Sequence, residues 1–150
     1  IHIIQKFYDA ETAESFQLDS YNYIIDAIDS LDSKAHLIYE ATQTDARFFS
    51  SMGAALKMNP GRIQVAEFWK VHGCPLAAAL RRKLKQQKLF PAKKFYCVFS
   101  DELLKNKGNT EHLTTKINDH VTKRVNGTLA HITAIFGFTL AGLVIQDICS

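Results

Sequence analysis

Tyr23-Ile24-Ile25-Asp26-Ala27-Ile28-Asp29 is the stretch on which the reading of this chain turns. An apolar run ends here in a pair of carboxylates. The pattern predicts a strand over 23–28, buried on both faces, with Asp29 just past its carboxyl end. In an open α/β sheet, ligands bind beyond the carboxyl ends of the strands. A carboxylate there can hold magnesium and, through it, a nucleotide phosphate. The same residues also suit a plainer role. Asp is a good helix N-cap, and Asp29 and Asp32 precede a predicted helix. The tetrapeptide Asp26–Asp29 alone leaves both readings open.

Strand and helix signals alternate on either side of this stretch. Ile1–Phe7 reads as a strand, followed by a short helix around 12–17. Ala35, Ile38 and Ala41, with Leu37, place an apolar stripe on a helix over 33–44. Residues 48–54 read as a short strand, and the β-branched and aromatic content of 62–69 suggests another. Pro75 sits where a helix can begin. Leu76, Leu80 and Leu84 recur four apart, carrying that helix to Gln87. Pro91 stops any continuation, and Phe95-Tyr96-Cys97-Val98-Phe99 is an apolar strand. The polar stretch 103–124 contains Lys107-Gly108-Asn109 and reads as a loop or mobile insertion. Gly127 opens a last helix that runs to Ile148. Such alternation argues for an α/β fold, as one domain over residues 1–150.

Composition narrows the class. A chain of 150 residues that is 47% apolar can build a real core and is not a disordered segment. Charge is unevenly spread. Residues 1–40 hold eight acids against Lys6 and Lys34, whereas Phe68 to Ser100 hold eight bases and no acid. One face is therefore expected to be positive, which suits a polyanionic partner. Cys74, Cys97 and Cys149 lack the C-x-x-C spacing of a zinc or redox site, and a cytoplasmic setting fits them better than a disulfide framework. The chain opens on Ile1 rather than Met, so the natural product is expected to extend upstream. Residues 129–145 carry no charge and approach the length of a membrane span. His131, Thr133 and Thr139 interrupt them, and no aromatic belt or basic flank frames both ends. A buried core helix, with no membrane partner, is the expectation. Gly137 and Gly142 would let another backbone approach closely, within the domain or across a dimer interface.

Absences count too. The chain has no G-x-G-x-x-G and no G-x-x-x-x-G-K, so it carries no evident phosphate-cradling loop. It also lacks G-x-S-x-G and H-E-x-x-H.

Tyr23 through Ser30, with Lys34-Ala35 opening a helix, resembles the ThiF/MoeB/HesA superfamily, the group related to ubiquitin-activating enzymes. Asn59-Pro60-Gly61-Arg62-Ile63-Gln64-Val65, Pro75-Leu76-Ala77-Ala78-Ala79-Leu80-Arg81-Arg82-Lys83-Leu84 and Val98-Phe99-Ser100-Asp101-Glu102 resemble its tRNA threonylcarbamoyladenosine dehydratase branch. So does the tail from Gly127-Thr128-Leu129 through Phe136-Gly137-Phe138. The resemblance covers most of the chain in order. It implies the C-terminal part of a Rossmann-like ThiF-type fold: a mixed sheet with flanking helices, lacking the Gly-rich nucleotide-binding half. It also implies an enzyme that uses ATP and magnesium to adenylate the threonyl carboxylate of threonylcarbamoyladenosine in tRNA, after which intramolecular attack closes a ring. Asp29 matches the branch's nucleotide- and magnesium-associated Asp, and Ala27 and Ile28 fall where relatives line the nucleotide pocket. The Gly-rich loop, the ribose-binding acid and the catalytic Arg and Lys of such enzymes lie upstream of the matched region. The chain by itself is therefore expected to be inactive.

Other residues carry two readings each. Arg81, Arg82, Lys83 and Lys85 form either a solvated helix face or a set of tRNA phosphate contacts. The resemblance favours tRNA. Cys74 is read as an ordinary loop thiol rather than a nucleophile, since no base is placed beside it. Cys97 is read as core, His131 as a hydrogen-bonded core histidine, and Trp69 as packing. Asp26 is expected to cap or pair structurally. Two classes stay open: part of a tRNA-modifying dehydratase acting as a homodimer, and a non-catalytic dimerisation or tRNA-docking module. A sulfur-carrier-protein adenylyltransferase of the same superfamily is disfavoured by the missing paired C-x-x-C.

Overall fold

Four strands form the central sheet of the computed structural model: β1 (Tyr23–Asp26), β2 (Arg47–Ser51), β3 (Ile63–Glu67) and β4 (Tyr96–Ser100). The structure describes residues 1–107 and 126–150, and between them the backbone of 114–116 and 122–124. The strands lie in the order β1-β2-β4-β3, with β1, β2 and β4 parallel and β3 antiparallel to β4. Successive side chains on a strand point to opposite faces, and this splits the apolar residues into two cores. Ile24, Phe48, Cys97 and Phe99 face α1 (Leu31–Gln43) and α2 (Pro75–Gln87), meeting Ala35, Ile38, Ala41, Ala77, Leu80 and Leu84. Phe49 and Val98 point the other way. They meet Ile132, Phe136 and Leu140 of α3 (Ala130–Ile148), which are spaced four apart on one helix face.

Three expectations are corrected here. Ile1–Phe7 forms no strand, and Ile1, Ile3 and Phe7 are exposed. An apolar run needs a neighbouring strand for its backbone groups, and none is paired with it. β1 is shorter than predicted and is not buried on both faces: it is an edge strand, with Ile25 47% exposed. Finally, α3 is not a buried core helix. Its length and composition would let it cross a membrane, yet only 17% of its apolar window is buried. One face lies on the sheet, and Phe138, Ile145 and Ile148 stand exposed on the rest. Within the stretch read as a loop, two short strands pair antiparallel, β5 (Thr114–Lys116) with β6 (Thr122–Arg124). The remainder of 108–125 lies outside the described residues.

One glycine is required by the backbone. Gly73, just before α2, has φ +59°, and a Cβ there would lie 2.8 Å from the carbonyl oxygen of Asp101 and 2.9 Å from its Cα. Gly73→Ala therefore combines a left-handed backbone with a clash against main chain. It is expected to lower stability by about 2–4 kcal/mol, read from the urea midpoint. An unchanged midpoint would show that this junction can move.

Candidate nucleotide crevice

β1 ends at Asp26, and that side chain sets the course of the next three residues. Asp26 is buried with Lys34 of α1; Lys34 Nζ donates to Asp26 Oδ2 at 2.5 Å, and neither side chain is exposed. Ser50, opposite Asp26 in the β1–β2 register, donates its hydroxyl to the same oxygen at 2.6 Å. Oδ1 accepts the backbone N–H of Ile28 at 2.9 Å. The carboxylate is thus fully engaged and faces inward. Its bond to Ile28 fixes the turn that leads from the strand to Asp29.

Those three residues border a crevice of about 400 Å³ past the carboxyl ends of β1 and β2. Ser51, Met52 and Gly53 also line it, as do Thr133, Phe136 and Gly137 of α3. Asp29 is exposed on its rim, and among the described residues no group bonds or pairs with its carboxylate. The plainer reading of Asp29 as a helix cap finds no bond to support it. The N-cap of α1 is Ser30, which makes no side-chain cap bond. Asp32 lies in the first turn and pairs with Lys83 of α2 at 2.5 Å.

The remaining motifs converge beside this crevice. Asn59-Pro60-Gly61-Arg62 makes a 3₁₀ turn in which the Asn59 side chain accepts the Gly61 N–H at 2.9 Å. Glu102, past the end of β4, accepts the backbone N–H groups of Met58 and Asn59 at 2.7 and 3.0 Å. Those two bonds hold its carboxyl below the usual range. Arg62 donates to Asp101 at 2.9 Å and likewise keeps that carboxyl low. Lys57 is buried and donates to the Glu102 carbonyl, and burial lowers its pKa. Lys57 and Glu102, with Cys74 and Leu76, line a second hollow of about 220 Å³, which shares Gly53, Ala55, Leu76 and Asn126 with the first.

No cluster of three or more metal-ligating side chains exists among the described residues.

The basic helix is more occupied than its sequence suggests. Arg81 donates to the Phe68 carbonyl at 2.9 Å, Lys83 is taken by Asp32, and Lys85 lies over the Trp69 ring at 5.8 Å. Arg82 is exposed. Cys74 and Cys97 are buried, and burial pushes the Cys97 thiol well up. His131 is not a core histidine. It is exposed and touches the Met58 carbonyl at 3.1 Å. Sequence reasoning did not single out Lys34, Ser50, Lys57 or the α3 wall of the crevice as functional.

Comparison with known proteins bears on this geometry. No family model matches the chain. The tRNA threonylcarbamoyladenosine dehydratase of Bacillus subtilis is 33% identical to it, over 97% of this chain and 58% of that protein. The Haemophilus influenzae protein of the same name is 31% identical, over 99% and 58%. The chain is homologous to the tRNA threonylcarbamoyladenosine dehydratases. It spans little more than half the length of these relatives and corresponds to their C-terminal part. The crystal structure of the Escherichia coli dehydratase in complex with ATP matches with a TM-score of 0.76 at 27% identity, over 97% of this chain and 55% of that one. The structure of the same protein with AMP matches at 0.74. The mixed sheet with flanking helices is therefore the C-terminal part of the ThiF-type fold.

Proposed function

We propose that this chain is part of an ATP-dependent dehydratase acting on threonylcarbamoyladenosine in tRNA, and that its crevice is one wall of the nucleotide site. The observation that carries the proposal is the open crevice past β1 and β2, in a homologue of proteins seen with ATP. Ala27, Ile28 and Asp29 border it, and Asp29 has no partner among the described residues. Asp29 is the residue to hold magnesium with the nucleotide, and Ala27 and Ile28 lie against the nucleotide. The buried Asp26–Lys34–Ser50 group fixes the loop on which all three sit. ATP supplies an adenylyl group that makes the threonyl carboxylate a good acceptor for ring closure. The chain's own contribution is position and charge. Phosphate-cradling groups belong outside residues 1–150, so this segment alone is not expected to bind ATP or adenylate.

tRNA is the proposed macromolecular partner, met on the α2 side where Arg82 and Lys85 remain exposed. A homodimer and a cytoplasmic setting belong to the same proposal. The uncovered apolar side of α3 and its open Gly137 and Gly142 favour association with a second copy.

The deciding experiment supplies the full-length protein with ATP, magnesium and tRNA bearing threonylcarbamoyladenosine. AMP should appear only with that tRNA, and mass spectrometry should show the nucleoside losing one water. AMP release driven instead by a sulfur-carrier protein, with the tRNA unchanged, would replace this function with the adenylyltransferase one.

A further inference from the structure

Trp69 is the sole tryptophan of the chain, and it is 40% exposed. It lies in the 3₁₀ turn Phe68–Lys70 between β3 and α2. Three residues per turn separate the directions of neighbouring side chains widely, so only one of two adjacent aromatics can face inward. Phe68 does: it is fully buried and stacks on Phe95 at 4.9 Å. Trp69 is left outside with its ring meeting Phe68 edge-on at 5.2 Å and 65°.

The indole is nevertheless held. Glu67 accepts the Trp69 backbone N–H at 3.1 Å, which fixes the turn and occupies the nearest carboxylate. From α2, Arg81 donates to the Phe68 carbonyl and lies over the Phe68 ring. Lys85 reaches over the indole, Nζ 5.8 Å from the ring centre. Lys70 is exposed in the same turn. The surface is thus a held aromatic plate with Lys85 over it, Lys70 in the same turn and Glu67 beside it, at the start of a stretch from Phe68 to Ser100 that contains no acid. An apolar protein partner would have to desolvate Lys70 and Lys85 without pairing them. A polyanion carrying flat bases satisfies plate and cations together.

We propose that Trp69 is a stacking platform for an unpaired base of RNA, with Lys70 and Lys85 on the adjoining phosphates. The inference rests on the reading that the substrate is tRNA, and gives Trp69 a role beyond its packing on Phe68. Its test uses the full-length protein, a labelled uridine octamer and a labelled RNA duplex of equal length, followed by fluorescence anisotropy. Trp69→Ala should weaken single-strand binding about five- to a hundredfold. Trp69→Phe should retain most of it. Duplex binding should be unchanged, because duplex bases are already stacked. Lys85→Ala should flatten the single-strand salt slope by about 0.7. Unaltered ATP affinity in Trp69→Ala reports an intact fold. Wild-type single-strand affinity in Trp69→Ala overturns the platform and leaves the tRNA reading standing. Equal losses on single strand and duplex also overturn it, since a merely structural or electrostatic role would act on both. A wild-type protein that ignores both RNAs and instead binds an acidic peptide would overturn the platform and the tRNA reading together.

Discussion

Asp26→Ala is expected to cost about 3–5 kcal/mol of stability. The argument is one of burial. Lys34 has no exposed side-chain surface, and Asp26 is its charge partner at 2.5 Å. Removing the carboxylate leaves a fully buried ammonium without its charge partner. It also leaves the Ser50 hydroxyl and the Ile28 N–H without their acceptors. Lys34→Met alone leaves the opposite charge stranded and is expected to cost a similar amount. The pair Asp26→Asn with Lys34→Met removes both charges; the amide oxygen still accepts the Ile28 N–H, and the amide N–H faces the Ser50 hydroxyl, which can accept it. Replacing a buried ion pair with neutral groups of similar volume is often nearly neutral. The double variant should therefore recover most of the loss. Urea unfolding of the full-length proteins, followed by circular dichroism, gives all three numbers. A loss below about 1 kcal/mol for Asp26→Ala would mean that water reaches Lys34 and that the pair does not anchor the loop.

Much of this architecture could be read from local pattern, and the failures have physical causes. β1 and β4 were legible as short apolar runs, and α1 and α2 by apolar residues recurring three or four apart. The apolar run Ile1–Phe7 has strand composition, but composition cannot supply the neighbouring strand that pairing requires. α3 is uniformly apolar, which normally signals burial all round. A sheet of four short strands covers only the face carrying Ile132, Phe136 and Leu140. Lys34 could have been found. It stands four residues before Ile38 and seven before Ala41, on the helix face that is otherwise apolar, and a lysine there needs a buried acid. Asp26 supplies it. Lys57 gave no such signal, because its acceptor lies 45 residues away along the chain. The α3 wall of the crevice was hidden for the same reason. Phe136 and Asp29 come to line one crevice only after the chain has folded, and nothing in either neighbourhood announces the other. Asp29 itself was legible through the strand that precedes it, although β1 stops three residues short of it.

Asp29→Asn is the substitution that separates the two roles first open for this residue. If Asp29 only helps to start α1, asparagine is as good a cap and nothing should change. If its charge holds magnesium with the nucleotide, asparagine should be nearly as damaging as alanine. The structure lets the two be told apart cleanly. Asp29 is exposed and has no partner among the described residues, so either variant should keep stability within about 0.5 kcal/mol of the parent. Under the proposed function, tRNA-dependent AMP release by the full-length protein should fall at least about a hundredfold in both variants, the scale of losing one preorganised charge-stabilising group. Raising magnesium should restore part of the rate, because a weakened site fills at higher metal concentration. Affinity for tRNA should stay at the parental value, since α2 and Trp69 are untouched. Normal turnover in Asp29→Asn would return Asp29 to the start of the helix and move the search for a metal-holding carboxylate elsewhere in the full-length protein.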